Sequence, residues 1–194
     1  TTSTIAVDSV STGVPSIAST VQVNTTAGFS IVTFTGNGTN NSLIGHGVQV
    51  DGVAKTPAMI ITKNRDDDIH WRVFHKDLTS TYTEFLSRPL YEVVPSGHSN
   101  GYIKTVTSTT YSTYQANVDS NGVNGASDKM VSYCFAEVEG FSKFGKYTGN
   151  NSADGNMIFT NFTPALVIIK YISGSAGGTK NWHMYDNKRS AFNP

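Results

Sequence analysis

The stretch MVSYCFAEV, residues 130–138, decides how the rest of the chain is read. Side chains of an extended chain alternate between two faces. Met130, Ser132, Cys134, Ala136 and Val138 therefore fall on one side, and Val131, Tyr133, Phe135 and Glu137 on the other. Apolar groups stand on both faces, which predicts a central strand covered on both sides. Working outward, short apolar runs recur between turn residues: FSIVTF, AMIITK, IHWRVFH, YTEFLS, YIKTVT, MIFTNF, ALVIIKY and NWHMYD. No helical period joins them. The prediction is an all-β chain of antiparallel β-sandwich-like units.

Composition agrees. The 194 residues leave ample room for an apolar core, charged residues make up only 14%, and Ser, Thr and Asn supply about a third. Eighteen glycines provide turn positions. Fourteen basic and fourteen acidic residues cancel without a basic cluster, so nothing favours a nucleic-acid partner. No apolar run reaches the roughly 20 residues needed to span a bilayer, so no membrane insertion is expected. Cys134 stands alone, and packing rather than an internal disulfide must hold the fold.

The chain also repeats itself. AGFSIVTFTGNG, residues 27–38, returns as EGFSKFGKYTGN, residues 139–150. Further matches keep the same order: Pro57-Ala58-Met59 with Pro164-Ala165-Leu166, and Trp71 with Trp182. The reading is an N-terminal arm or linker over 1–27, a first β-rich repeat unit over 28–139, and the start of a second, incomplete unit over 140–194. Each unit is expected to hold one hairpin. In the first, AMIITK turns through NRDDD into IHWRVFH; in the second, ALVIIKY turns through ISGSAGG into KNWHMYD. Trp71 and Trp182, with Phe74 and Tyr185, are expected in a shared core, and a sugar-stacking platform is the competing reading. The second copy stops soon after Trp182 and the chain opens on Thr1. Both features predict a piece of a longer polypeptide.

Motifs for chemistry are formal matches only. GHSNG, residues 97–101, has nucleophile-elbow spacing around Ser99 with His98 beside it, but YIKTVTSTT after it reads as a strand where an elbow needs a helix. GFSKFGKY, residues 140–147, has P-loop spacing but places Tyr147 where the magnesium-binding hydroxyl belongs. Asp66, Asp67 and Asp68 lack the spaced ligands of a calcium loop and read as a solvated turn. His46, His70, His75, His98 and His183 show no zinc spacing. The Asn-X-Ser/Thr triplets at Asn24, Asn37, Asn40, Asn150 and Asn161 are expected by chance in such a composition. No catalytic, cofactor-binding or metal residue is assigned, no cofactor is expected, and ligand-binding residues are left open. The chain is not read as an enzyme.

Several segments taken together resemble an uncharacterised virion-associated domain family of tailed phages: GFSIVTFTGNGT, IGHG, PAMIITKNRDD, HWRVFH and YCFAEVEGFSKFGKYTGNNSADG. The resemblance covers Ala27 to Pro194, and CFAEVEGFSKFG, where one copy ends and the next begins, is its most specific part. Val48 after IGHG and the VDGVAKT insertion before Pro57 depart from the pattern. Such domains occur in phages of marine bacteria and cyanobacteria, often beside concanavalin A-like or laminin G-like sandwiches. The resemblance implies a virion structural protein, a tail fibre, tailspike or appendage component serving assembly and host attachment. A capsid decoration protein and a carbohydrate-binding, lectin-like module are the alternatives. Expected partners are the protein itself as a homotrimer, other virion proteins and a host surface glycan. The arm is expected to add a strand to a neighbouring subunit.

Overall fold

The computed structural model describes residues 2–7, 14–78, 84–85, 101–114, 121–172 and 181–188. Its elements are β1 (Thr2–Ile5), β2 (Ser19–Asn24), β3 (Phe29–Thr35), β4 (Leu43–Gly45), β5 (Gln49–Val50), β6 (Val53–Ala54) and β7 (Met59–Asn64). They continue as β8 (Arg72–His75), β9 (Glu84–Phe85), β10 (Tyr102–Val106), β11 (Thr110–Tyr114), the single helical turn α1 (Asn121–Asn124), β12 (Lys129–Phe135), β13 (Leu166–Ile169) and β14 (His183–Asp186).

β12 is the middle strand of a seven-stranded antiparallel sheet ordered β1-β2-β3-β12-β7-β8-β9. It pairs with β3 from Lys129↔Thr35 to Phe135↔Phe29, and with β7 from Met130↔Asn64 to Phe135↔Met59. Met130, Ser132 and Cys134 face inward and are wholly buried, while Val131, Tyr133 and Phe135 on the other face are half-buried. The strand is central because both its faces and both its edges are used.

The inner face packs on a three-stranded sheet ordered β10-β11-β4, which makes a β-sandwich. Val21, Val32, Ile60, Met130 and Cys134 from the large sheet meet Ile44, Ile103 and Tyr111 from the small one in a single core. Each buried Val or Ile contributes roughly 1.5–3 kcal/mol through burial. A polar bridge crosses this core: Ser132 Oγ lies 2.8 Å from Tyr111 Oη and 2.8 Å from Thr62 Oγ1. These hydroxyls satisfy one another and fix how the two sheets sit together.

Within the segment read as an arm or linker, residues 2–5 and 17–24 pair in the large sheet or pack in the core. β2 pairs with β3 along its whole length, β1 pairs with β2, and Val21 and Ile17 belong to the core. Ile17 also bridges to Ile44, and the Ser16 amide donates to the Leu43 carbonyl at 2.8 Å, so this segment joins both sheets. The alternation of Val21 and Val23 provides one apolar face, and burying it outweighs the Ser- and Thr-rich surroundings. Val48 is core as well, with 1% of its surface exposed, and the VDGVAKT insertion folds into the small β5–β6 hairpin.

Both expected hairpins form, and they form in one register. Met59↔His75, Ile60↔Phe74, Ile61↔Val73 and Thr62↔Arg72 correspond to Leu166↔Asp186, Val167↔Tyr185, Ile168↔Met184 and Ile169↔His183. The same hydrogen bond closes each: Lys76 amide to Ala58 carbonyl at 2.8 Å, and Asn187 amide to Ala165 carbonyl at 3.1 Å. The likeness does not extend to the whole unit. FSIVTFT is the seven-residue strand β3, whereas residues 143–150 form no strand. Lys143, Gly145 and Lys146 interrupt the apolar alternation there. MIFTNF, read as a strand, likewise forms none among the described residues.

The surroundings of matched glycines differ in the same sense. Gly28 and Gly140 both adopt positive φ, 59° and 72°. A Cβ on Gly28 would come within 2.7 Å of Val138 Cγ2, and one on Gly140 would meet nothing within 4 Å.

Candidate functional site

Several buried polar groups spend their hydrogen bonds inside the fold. His46 is fully buried; its Nδ1 accepts from the Val48 amide at 3.0 Å, so Nε2 carries the proton and donates to the Thr107 carbonyl at 3.1 Å. Its own carbonyl accepts from Ser30 Oγ at 2.6 Å. Burial holds the imidazole neutral and lowers its pKa from 6.5 to about 4, against the opposing pull of the Thr107 carbonyl. The unfolded state therefore binds the proton more readily. His46 contributes its full stability above about pH 6.5 and loses it progressively as pH falls to about 4. The urea midpoint is expected to drop across that window, and His46→Gln, which keeps one donor and one acceptor, should remove most of this slope.

Among the described residues, the sequence motifs are not brought together. His98 and Ser99 lie outside the described residues. Residues 140–147 are mostly exposed and lead into irregular chain rather than a helix. The acidic run serves its own turn: Asn64 Oδ1 accepts from the Asp66 and Asp67 amides at 2.9 and 3.1 Å, and Asp66 Oδ2 accepts from the Lys129 amide at 2.7 Å. No cluster of three or more His, Cys, Asp or Glu side chains that could hold a metal occurs among the described residues. No described helix is long and apolar enough to cross a membrane.

Two surfaces stand out instead. The outer face of the large sheet carries half-buried rings: Trp71 lies over Tyr133 with centroids 6.2 Å apart and planes at 27°, and Phe29 meets Phe135 at 4.9 Å. Phe144 reaches back to the same end of the sheet, 6.5 Å from Phe135 and 6.1 Å from His75. Trp71 is thus neither sealed in a core nor a free platform, because the ring below it covers one face only. An open groove of about 290 Å³ lies near β1 and β2, lined by Thr4, Thr20, Thr33, Thr35, Arg65 and Lys129 among others. It offers hydroxyls and two cations, and Ser19, the buried polar residue of its lining, donates its hydroxyl to the Gly45 carbonyl at 2.7 Å.

The second surface is apolar and runs through the last third of the described chain. Met157 is 83% exposed, Phe159 74%, Phe141 60%, Met184 53% and Leu166 52%. The hairpin residues Val167, Ile168 and Tyr185 are exposed too. Trp182 is half-buried and Tyr185 exposed, so the second hairpin lacks the core expected for it. The three adjacent apolar residues of Met157-Ile158-Phe159 were the available sign of this surface, since such a run without a turn signal reads equally well as a buried strand.

Comparison with known proteins matches residues 5–194 to one family, described as "Domain of unknown function (DUF7483)". No curated protein and no solved structure matches the chain.

Proposed function

We propose, from the premise that the chain belongs to this family of unknown function, that it is a virion structural protein of a tailed phage. Its role is assembly and host attachment in a tail fibre, tailspike or appendage, as a homotrimer in contact with other virion proteins. The observation that carries the assembly reading is the apolar surface between Phe141 and Tyr185. Soluble monomers rarely leave so many large apolar side chains open to water, and a partner that covers them recovers their burial energy. The virion setting is drawn from the phrases that resemble tailed-phage domains.

A carbohydrate-binding role is the second reading, favoured by the half-buried Trp71 stacked over Tyr133 on the outer face of the large sheet. Mass spectrometry and immunogold labelling of purified particles test the first reading, and the chain is expected in multiple copies at one place on the tail. Its absence from particles, together with glycan binding that Trp71→Ala abolishes, would favour the second.

A further inference from the structure

The open groove and the aromatic pair lie on one face of the large sheet, and strand register sets their spacing. Thr4 stands opposite Thr20, Thr20 opposite Thr33, and Thr33 opposite Val131, so the four side chains form one row across β1, β2, β3 and β12. Val131 belongs to the outer face, and the threonines therefore do as well; Thr4 and Thr20 are exposed and Thr33 is half-buried. Lys129 and Tyr133 follow on the same face of β12, two residues to either side of Val131. From Lys129 to Tyr133, over whose ring Trp71 lies, is four residues of one strand, roughly 13 Å. The face runs from cations, past hydroxyls, to a stacked ring.

Arg65 joins Lys129 at the cationic end, because its amide donates to the Lys129 carbonyl at 2.8 Å. Both side chains are exposed and line the groove, and among the described residues neither is in an ion pair. The acidic turn beside them is partly occupied: Asp66 Oδ2 accepts from the Lys129 amide at 2.7 Å, and the Asp67 carbonyl accepts from Lys63 Nζ at 2.7 Å. Thr33 Oγ1 leans on the Thr20 carbonyl at 3.5 Å and keeps its lone pairs for an outside donor.

These features select a ligand together. Two adjacent cations attract an anionic group, and the guanidinium fork suits one with paired oxygens. Threonine hydroxyls both donate and accept, as sugar hydroxyls require. An aromatic ring covered on one face can stack the other against the apolar side of a pyranose. Nucleic acid fits less well, since it asks for a broad basic surface and the chain's charges cancel.

We propose that the outer face of the large sheet binds an acidic oligosaccharide, its carboxylate or sulfate held by Arg65 and Lys129 and a ring further along the sugar chain stacked at Trp71. The inference rests on the carbohydrate-binding reading and names the class of glycan for it.

The probes are tetragalacturonate and a sulfated galactose tetrasaccharide, each titrated into the full chain by calorimetry beside its neutral counterpart, the methyl ester or the unsulfated sugar. At least one acidic form is expected to bind saturably, about tenfold or more tighter than its neutral counterpart, and which one does so identifies the acid. The paired substitution Arg65→Gln with Lys129→Gln should remove that preference without shifting the urea midpoint, since both side chains are exposed. Trp71→Ala should weaken every form that binds. Equal binding of charged and neutral sugars, a preference that survives the paired substitution, or equally tight binding of a single-stranded DNA oligomer would overturn the proposal. Neutral sugars bound through Trp71 with no acidic preference remove the acidic site and leave the carbohydrate-binding reading standing; no binding of any of the four sugars removes both.

Discussion

Ile60→Ala is expected to destabilise the chain by about 2–5 kcal/mol, and Val167→Ala to change it by no more than about 0.5 kcal/mol. The two residues hold the same place in their hairpins, opposite Phe74 and Tyr185. Local strand propensity and register therefore cancel in the comparison, and only the surroundings differ. Ile60 has no exposed surface and packs in the core beside Cys134, across from β12, so truncation removes its transfer energy and leaves a cavity. Val167 keeps 39% of its surface in water and has no strand on its far side among the described residues. Urea unfolding of the two variants under one set of conditions measures the contrast. Equal losses would mean that the second hairpin is covered in solution.

Gly36→Ala should also destabilise strongly, by at least the roughly 1–3 kcal/mol typical of an overpacked site, while Gly149→Ala in the matching TGN phrase should be nearly silent. A Cβ on Gly36 would stand 2.1 Å from the Gly125 carbonyl oxygen, and backbone cannot yield as a flexible side chain does. The surrounding loop is held by several bonds. Asn124 Nδ2 donates to Asn37 Oδ1 at 2.8 Å and to the Thr39 carbonyl at 2.9 Å, and the Gly36 amide donates to the Asp128 carbonyl at 2.8 Å. Gly149 has nothing within 4 Å of where its Cβ would lie. The check is a fall in urea midpoint at unchanged slope for Gly36→Ala, with no shift for Gly149→Ala.

Much of the sandwich is legible in side-chain alternation. Residues 130–135 announce a central strand because both faces carry apolar groups, and the Trp71 and Trp182 hairpins are marked by apolar runs on either side of a turn. Alternation fails where the apolar positions are few. Val21 and Val23 are the apolar signal in β2, and the Ser- and Thr-rich flanks make the segment read as an arm although Val21 is core. The opposite failure occurs in the doubled phrase. GFSKFGKYTG repeats the letters of a strand, yet a strand also needs a neighbour to take its backbone hydrogen bonds, and residues 143–150 have none among the described residues. Trp71 was legible as a packing residue but not as half-buried, because the ring beneath it, Tyr133, comes from a strand far away in sequence.

Cys134 sits at 0% exposure in the middle strand, and burial raises its thiol pKa to about 12, opposed in part by the neighbouring Ser30 hydroxyl. A thiol-specific reagent needs the thiolate and a path to it, and the native state provides neither. Because Cys134 is the chain's one cysteine, alkylation of the unmodified protein clocks the opening of the sandwich itself, and the rate at which label accumulates under native conditions reads the lifetime of the fold without a single substitution.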